Sequence, residues 1–415
     1  MRYCNRHLTF PPALWFIIAL CHLPHPMRIA SHLLAAFFSA ALALPSLLAS
    51  ASASAQPATL PPAPALAARA YVLYDYNSNQ MLVNQNGHAR MAPAALTKMM
   101  TVYLVLSAVK QHRFLPTQQA YPSLEALRPQ DDEARMFLDH NKAVTVDELL
   151  HGLIIESGDD ALRVLVDLIS GNEAAFAELM NRQAQALGMM DTHFTNASGK
   201  PDPQQYSSAY DLTLLAAALL RDYPNYFALY GQREYQYNGI KAFNNNRLLW
   251  NDPYVDGIKI GHNDSAGYCM AASAERDNRR LISVVLGAAS DSLRDSESQK
   301  LLNFGFRYFE NMPLYQKNQA VGSLRVWKGA ARTVRVGFPN GLSITVPKGA
   351  LPQFKAAMES REPIIAPVSA GQNLGVLKVS LDGKPYAEFP LVALEDVHES
   401  NIFARGWDSI RLLFQ

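Results

Sequence analysis

Three short stretches of the sequence place reactive or charged side chains at spacings that suit acyl-transfer chemistry. The first, "AALTK", has Ala95 and Lys98 three residues apart, on one face of a helix. The second, "SGD", begins at Ser157, and the third, "KIG", begins at Lys259. A serine hydrolase that forms an acyl-enzyme needs a serine activated by a lysine, a second polar motif that relays protons and grips the substrate amide, and a strand lysine that receives a carboxylate. The three stretches offer such a set without the first serine.

The pattern of apolar residues indicates which elements hold these stretches. Residues 95–110 predict an apolar helix, and a long helical stretch begins at Asp147, so that "SGD" lies between helices. Residues 69–86 alternate around an Asn-Ser-Asn turn and predict a β-hairpin, whereas strands, one carrying "KIG", follow residue 250. An antiparallel sheet built from both ends of a domain, with a helical block inserted between them, predicts an α+β fold for residues 69–311.

The C-terminal part of the chain has a different pattern. Asn340-Gly341 and Asp382-Gly383 are hairpin signals, and residues 312–398 predict a small β-sandwich domain. Residues 399–415 predict an amphipathic tail helix with an apolar stripe of Phe403, Trp407, Ile410 and Phe414, and with Arg405, Asp408 and Arg411 elsewhere. Such a helix suits peripheral attachment to a membrane surface, where Trp and Phe form the buried face. The alternative is a terminal helix that packs on its own domain.

The first 55 residues predict a targeting segment. Met27-Arg28 begins a short basic region, an apolar run follows, and Ala53 and Ala55 fit the small-residue pattern of a cleavage site after Ala55. Residues 56–68 are a Pro/Ala linker. A retained transmembrane anchor is the alternative, although the apolar run is short for a span and ends in alanine and serine. We therefore expect the protein to be exported.

Composition narrows the classes of function. The net charge of +1 gives no sign of the basic face that nucleic-acid binding needs. Of three cysteines, Cys4 and Cys21 lie in the leader, so Cys269 has no intramolecular disulfide partner and is expected to be a buried packing residue. No Cys/His cluster with metal spacing and no phosphate-binding glycine loop occurs, so we expect neither a metal nor a cofactor.

The order and spacing of the three stretches resemble those of the D-alanyl-D-alanine carboxypeptidases, which are low-molecular-mass penicillin-binding proteins of the serine peptidase type. The resemblance extends over residues 68–310 and includes "APAALTKMMT", "LIIESGDDA", "LMNRQAQALGMMDTHFTNASG", "YSSAYDL", "NNNRLLW", "VDGIKIGH" and "NFGFRYFE". It implies a transpeptidase/β-lactamase-like domain in the periplasm, and the tail helix predicts peripheral attachment to the inner membrane. It also implies removal of the terminal D-alanine from peptidoglycan stem pentapeptides through an acyl-serine, with β-lactams as acylating inhibitors.

The sequence departs from the family pattern at three positions. Ala95 occupies the nucleophile position of S-x-x-K, and a methyl group cannot attack a carbonyl. Asp159 occupies the asparagine position of S-x-N, where an ionised carboxylate cannot donate to a substrate carbonyl as an amide does. Ile260 replaces the threonine of K-T-G, which would bind the substrate carboxylate.

Five residues of the pattern are retained, and the resemblance assigns each of them a role. Lys98 would be the base, and Ser157 would take part in the proton relay. Lys259, Gly261 and His262 would bind the substrate. The backbone N–H groups of Ala95 and His262 are expected to form an oxyanion hole. Asp159 is expected to pair with Lys98 or Lys259 and to neutralise the cleft.

Three functions remain open on this sequence. The preferred hypothesis is a pseudoenzyme that recognises stem peptides and works as a binding or scaffolding protein in cell-wall assembly, because three losses at separate motifs argue against an intact reaction. The second is a residual carboxypeptidase in which Ser157 replaces the missing serine, with Lys98 or Asp159 as base. The third is a pure interaction protein with a vestigial cleft, whose β-domain binds other cell-wall proteins.

Overall fold

A computed structural model describes residues 6–7, 62–130 and 133–412 of the chain. The described residues form two compact units. The first contains those of 59–323 and 335–352, and the second contains those of 1–58, 324–334 and 353–415. Apart from Arg6 and His7, which pair with the strand edge at Met358 and Ala357, the predicted leader and its cleavage site lie outside the described residues.

The first unit is organised around a five-stranded sheet. The strands of this unit are β1 (Ala70–Asp75), β2 (Gln80–Gln85), β3 (Gln119–Ala120), β4 (Val144–Thr145), β5 (Glu234–Tyr237), β6 (Ile240–Phe243), β7 (Val255–Asn263), β8 (Gly267–Arg276), β9 (Arg279–Ala288) and β10 (Phe309–Tyr315). The sheet is antiparallel in the order β2-β1-β9-β8-β7. Its strands come from both ends of the unit, so the predicted β-hairpin and the predicted α+β architecture are confirmed.

Helices fill the chain between β2 and β7 and continue after β9. They are α1 (Lys98–Lys110), α2 (Val146–His151), α3 (Asp159–Ser170), α4 (Glu173–Ala186), α5 (Ala209–Asp222), α6 (Pro224–Phe227), α7 (Leu248–Asn251) and α8 (Asp291–Tyr308). Helix α1 is buried on nearly all sides, as an apolar central helix must be. One face of the sheet packs with α1, α3 and α5 in the main core, and the other packs with α8 in a smaller one.

The long helical stretch from residue 147 is broken at the "SGD" motif. Helix α2 passes into a π-helical turn at Gly152–Glu156, and Ser157 then adopts a left-handed conformation with a φ of 69°. Helix α3 starts two residues later at Asp159. At this break Ser157 and Asp159 lie beside α1, where both contact Lys98.

The second unit contains most of a seven-stranded sheet. Its strands are β11 (Ala320–Trp327), β12 (Thr333–Gly337), β14 (Phe354–Ser360), β15 (Ile364–Ile365), β16 (Asn373–Leu381) and β17 (Lys384–Ala393), with Arg6–His7 at one edge, while β13 (Leu342–Pro347) belongs to the first unit. The predicted C-terminal β-domain is confirmed. Asp382 and Gly383 have φ angles of 50° and 74° and join β16 to β17 as the predicted hairpin.

The hairpin predicted at Asn340-Gly341 is wrong. The two residues do lie in a turn, but β12 joins the seven-stranded sheet whereas β13 pairs with β10. An Asn-Gly turn therefore connects two different sheets here, because the pairing of each flanking strand is decided by distant partners and not by the turn.

The predicted tail helix is present as α9 (Ile402–Leu412). Trp407 is 59% exposed on it, and the carboxylate of Asp408 accepts a hydrogen bond from the backbone N–H of Lys328 at 2.8 Å. Among the described residues, no helix combines the length and the apolar character needed to cross a bilayer.

Candidate active site

The turn that carries Ala95 is held by close backbone contacts. It is a 3-10 turn at Ala94–Thr97 that leads into α1, and Ala94 has a φ of 46°, in the left-handed region that alanine rarely adopts. A Cβ on Gly199 would lie 1.8 Å from the carbonyl oxygen of Ala94, and one on Gly261 would lie 2.8 Å from the backbone nitrogen of Ala95. Two glycines thus let the flanking loop and strand β7 approach the backbone at position 95.

The ammonium of Lys98 is surrounded by three acceptors. Its Nζ lies 2.7 Å from the carbonyl oxygen of Ser157, 3.1 Å from the Oγ of the same residue, and 2.8 Å from Oδ1 of Asp159. The ammonium thus donates two hydrogen bonds to Ser157 and forms an ion pair with Asp159. The side chain is 5% exposed. Burial lowers the pKa of Lys98, and the Asp159 carboxylate opposes that shift.

Asp159 is held in place by the start of helix α3. The residue lies in the first turn of the helix, where the exposed N–H groups favour a carboxylate. Its backbone N–H donates to the carbonyl of Ala134 at 2.8 Å. The prediction that Asp159 pairs with one of the two lysines is confirmed, and its partner is Lys98.

Lys259 lies on β7, the edge strand of the sheet, and is 6% exposed. Burial, together with the nearby charge of Lys98, lowers its pKa to about 7, while the charge of Asp159 acts in the opposite direction. Among the described residues, no carboxylate lies within salt-bridge distance of Lys259. The ammonium therefore has capacity for an external anion.

The residues after Lys259 point in different directions. Successive side chains of a strand face opposite sides of its sheet, and Ile260 packs against the smaller core on the α8 side. Gly261 faces the turn at position 95, as described above. The exposed His262 ring stacks on Tyr268 with a centroid distance of 4.0 Å. The structure thus brings Lys98, Ser157 and Asp159 into contact, with Lys259 nearby, and leaves the side chains of Ile260 and His262 apart from them.

A second charged cluster beside Lys98 was not predicted. The Glu133 carboxylate is almost fully buried and accepts hydrogen bonds from Arg163 at 2.6 Å and from Lys200 at 2.9 Å. Although burial acts against it, these donors hold the pKa of Glu133 below its ordinary value. The charges of Glu133 and Lys200 also influence the pKa of Lys98. The sequence "PQDDEAR" looks like a solvated loop and carried no signal for this role.

Asp160 is a second residue near the site that the motifs did not predict. It is fully buried, and it accepts hydrogen bonds from the backbone N–H groups of Met136 at 2.8 Å and Leu138 at 3.2 Å. These bonds hold the segment after Glu133 against the start of α3. Asp160 is therefore a positioning residue for one wall of the site.

The geometry retains both motif lysines but has no hydroxyl at the nucleophile position. The remaining hydroxyl of the turn belongs to Thr97, which is completely buried. Ser157 is the hydroxyl in contact with Lys98. The arrangement can hold an anionic ligand near Lys259, whereas attack from position 95 is impossible with an alanine side chain.

Comparison with known proteins agrees with this geometry. The family pattern "D-alanyl-D-alanine carboxypeptidase" matches residues 56–290, and the pattern "Penicillin-binding protein 5, C-terminal domain" matches residues 309–399. The D-alanyl-D-alanine carboxypeptidase DacA of Escherichia coli (strain K12) is 38% identical over 362 residues, which is 86% of this chain and 90% of the relative. DacA of Haemophilus influenzae is 40% identical over 349 residues, 83% of this chain and 89% of the relative.

A solved structure of a penicillin-binding protein is also similar to this chain. The crystal structure of penicillin-binding protein 5 from Haemophilus influenzae superposes with a TM-score of 0.77 at 40% sequence identity, and the match covers 82% of this chain and 100% of that one. This chain belongs to the D-alanyl-D-alanine carboxypeptidase family of low-molecular-mass penicillin-binding proteins.

Proposed function

We propose that this protein binds D-alanine-terminated stem peptides of peptidoglycan in the cell wall without forming an acyl-enzyme. The observation that carries the proposal is at the nucleophile helix: position 95 is alanine, and the nearby Lys98 ammonium is hydrogen-bonded to Ser157 and ion-paired with Asp159. A general base must present a lone pair to the nucleophile. An ammonium that donates two hydrogen bonds to Ser157 and forms an ion pair with Asp159 has no such lone pair to offer.

Lys259 supports the binding half of the proposal. It is buried beside the turn at position 95 and has no carboxylate partner in the described part of the chain. A peptide carboxylate would supply the missing countercharge and favour the protonated lysine. Because the pKa of Lys259 is about 7 in the free protein, ligand binding and proton binding are coupled.

This coupling predicts the pH dependence of binding. The affinity for a D-alanyl-D-alanine peptide is expected to be greatest below pH 7 and to fall about tenfold or more between pH 7 and pH 9, since free Lys259 loses its proton over that range. Lys259→Met should weaken binding at pH 6.5 and abolish this pH dependence. Lys241→Met, at an exposed lysine, is the matched control and should change neither. Isothermal titration calorimetry measures both quantities, and pH-independent binding by the parent protein would contradict the prediction.

A residual carboxypeptidase that uses Ser157 is the second candidate. The observation that favours it is the 3.1 Å distance between Ser157 Oγ and Lys98 Nζ, which is within reach for proton transfer. Release of free D-alanine in the same binding mixtures, lost in Ser157→Ala, would establish this function and overturn the proposal of pure binding. We expect no release, because Asp159 and the Ser157 carbonyl also engage the lysine.

We further propose that the exported protein is periplasmic and attaches to the inner-membrane surface through α9. Trp407 is 59% exposed on this helix, and the aromatic ring of tryptophan favours the bilayer interface. Trp407→Glu should reduce co-sedimentation with anionic phospholipid vesicles roughly tenfold. Trp250→Glu, at a 44% exposed tryptophan of the first unit, is the matched control. Equal losses in the two variants would argue against attachment through α9.

A further inference from the structure

Three Asn-Gly pairs occur in the chain, at Asn86-Gly87, Asn238-Gly239 and Asn340-Gly341. Such a pair can lose ammonia when the backbone nitrogen of the glycine attacks the side-chain amide of the asparagine, because a residue without a Cβ leaves room for the attack. The reaction needs a glycine N–H that is free of other hydrogen bonds and a backbone that can open locally. The contacts of each pair therefore decide which of them can react.

Hydrogen bonds engage the attacking nitrogen in two of the three pairs. The N–H of Gly87, which is buried, donates to Oδ1 of Asn84 at 3.0 Å. The N–H of Gly341 donates to the carbonyl of Phe338 at 3.1 Å. In both pairs the attack must first break a hydrogen bond of the folded protein, which lowers the fraction of molecules that can react.

The pair Asn238-Gly239 lies at the exposed tip of the hairpin formed by β5 and β6. The two residues have φ angles of 49° and 82°, and the ladder of the hairpin ends at the register pair Tyr237 and Ile240. The N–H of Gly239 lies outside this ladder and donates to no described residue. The hairpin is a two-stranded sheet of its own. Its tip therefore opens more easily than a central strand does.

Lys142 places a positive charge where the reaction needs one. Its Nζ donates a hydrogen bond to Oδ1 of Asn238 at 3.2 Å. This oxygen gains negative charge when the glycine nitrogen adds to the amide carbon, and an ammonium beside it stabilises that charge. Among the described residues, no lysine or arginine donates to the side-chain oxygen of Asn86 or of Asn340.

We propose that Asn238 is a site of spontaneous deamidation and that it reacts before the other two pairs. The nitrogen of Gly239 gives its proton to water and forms a bond with Cγ of Asn238. The bond from Cγ to Nδ2 breaks, and Nδ2 takes up a proton and leaves as ammonia. One water molecule then opens the succinimide ring. Opening at one carbonyl leaves aspartate, and opening at the other leaves isoaspartate, in which the main chain passes through the former side chain.

The modification would change a hairpin that packs beside the "SGD" motif. Both strands of the hairpin contact the π-helical turn at Gly152–Glu156, which ends at Ser157. Tyr235 of the hairpin also stacks on His151, with a centroid distance of 5.0 Å. Aspartate at position 238 adds a negative charge that pairs with Lys142. Isoaspartate lengthens the main chain at the tip, so the two strands can no longer keep their register there.

The test incubates the folded full chain in mildly alkaline buffer and follows the three pairs by mass spectrometry of its proteolytic peptides. Deamidation appears as the mass change from an amide to an acid, and isoaspartate appears as labelling by an isoaspartyl methyltransferase. We expect Asn238 to react roughly tenfold faster than Asn86 or Asn340. Lys142→Met should slow the reaction at Asn238 about threefold. Lys241→Met is the matched control, since this exposed lysine of the same hairpin pairs with Glu234, and it should leave the rate unchanged.

A second incubation, in urea that unfolds the chain, separates the effect of the fold from that of the sequence. The three pairs should then react at similar rates, and Lys142→Met should have no effect. Equal rates at the three pairs in the folded protein, or a faster reaction at Asn86 or Asn340, would overturn the proposal. The same preference for Asn238 in folded and unfolded chains would also overturn it, because the contacts would then not select the site. None of these results depends on the proposed peptide binding.

Discussion

The double variant Ala95→Ser/Asp159→Asn is expected to be acylated by a fluorescent penicillin at least about 10³-fold faster than the parent protein, since a missing nucleophile typically costs several orders of magnitude in rate. The substitution at position 95 returns a hydroxyl to the turn before α1. The substitution at position 159 removes the carboxylate that lies 2.8 Å from Lys98 Nζ. It also supplies an amide that can donate to a substrate carbonyl.

Neither single change should give this result. In Ala95→Ser the lysine stays bound by Asp159 and Ser157, so acylation is expected to be roughly 10²- to 10³-fold slower than in the double variant, the usual contribution of a general base. Asp159→Asn alone has no nucleophile at position 95 and serves as the matched control. The measurement is the rate of covalent labelling of purified protein. Equal labelling of Ala95→Ser and the double variant would show that Asp159 does not restrain the lysine.

Gly199→Ala is expected to lower the free energy of unfolding by about 3–5 kcal/mol. Gly199 has a φ of 90°, and an added Cβ would lie 1.8 Å from the carbonyl oxygen of Ala94. The atoms that the added Cβ would meet belong to the backbone of Ala94 and Ala95, so they cannot move aside as the end of a flexible side chain could. The turn that carries position 95 would have to move, so peptide binding in the cleft should weaken at the same time.

Gly188→Ala is the matched control for this substitution. Gly188 also has a positive φ, of 77°, but a Cβ there would contact nothing within 4 Å. It should cost only the left-handed conformation, about 1–2 kcal/mol, and should leave peptide binding unchanged. Urea unfolding followed by circular dichroism compares the two variants. Similar losses of stability would show that the conformation of the glycine matters and its contact with Ala94 does not.

The parts of this protein that could be predicted from sequence are those specified by local residues. The continuous apolar run after Lys98 predicted helix α1, and the Asp382-Gly383 pair forms the predicted hairpin because its flanking strands pair with each other. Asn340-Gly341 failed because strand pairing is a long-range property. The cluster around Glu133 could not be predicted, because its partners Arg163 and Lys200 lie 30 and 67 residues away.

The site shows the same limit. The three motif stretches predicted that Lys98, Ser157, Asp159 and Lys259 would converge, and the structure places them together. The sequence did not predict that the side chain of Ile260 packs in the smaller core on the α8 side. That orientation depends on the register between β7 and β8, which the chain sets only when the sheet forms.

The three contacts of Lys98 also bear on how this protein could change over generations. A codon change that restores serine at position 95 meets a lysine already engaged by Asp159, so it brings little hydrolysis for selection to favour. A change of Asp159 to asparagine, made first, removes the countercharge of a buried ammonium, and breaking such a pair costs about 3–5 kcal/mol. Each single step toward the family's reaction is thus neutral or harmful. We expect the alanine at position 95 to persist, and later mutations to refine binding.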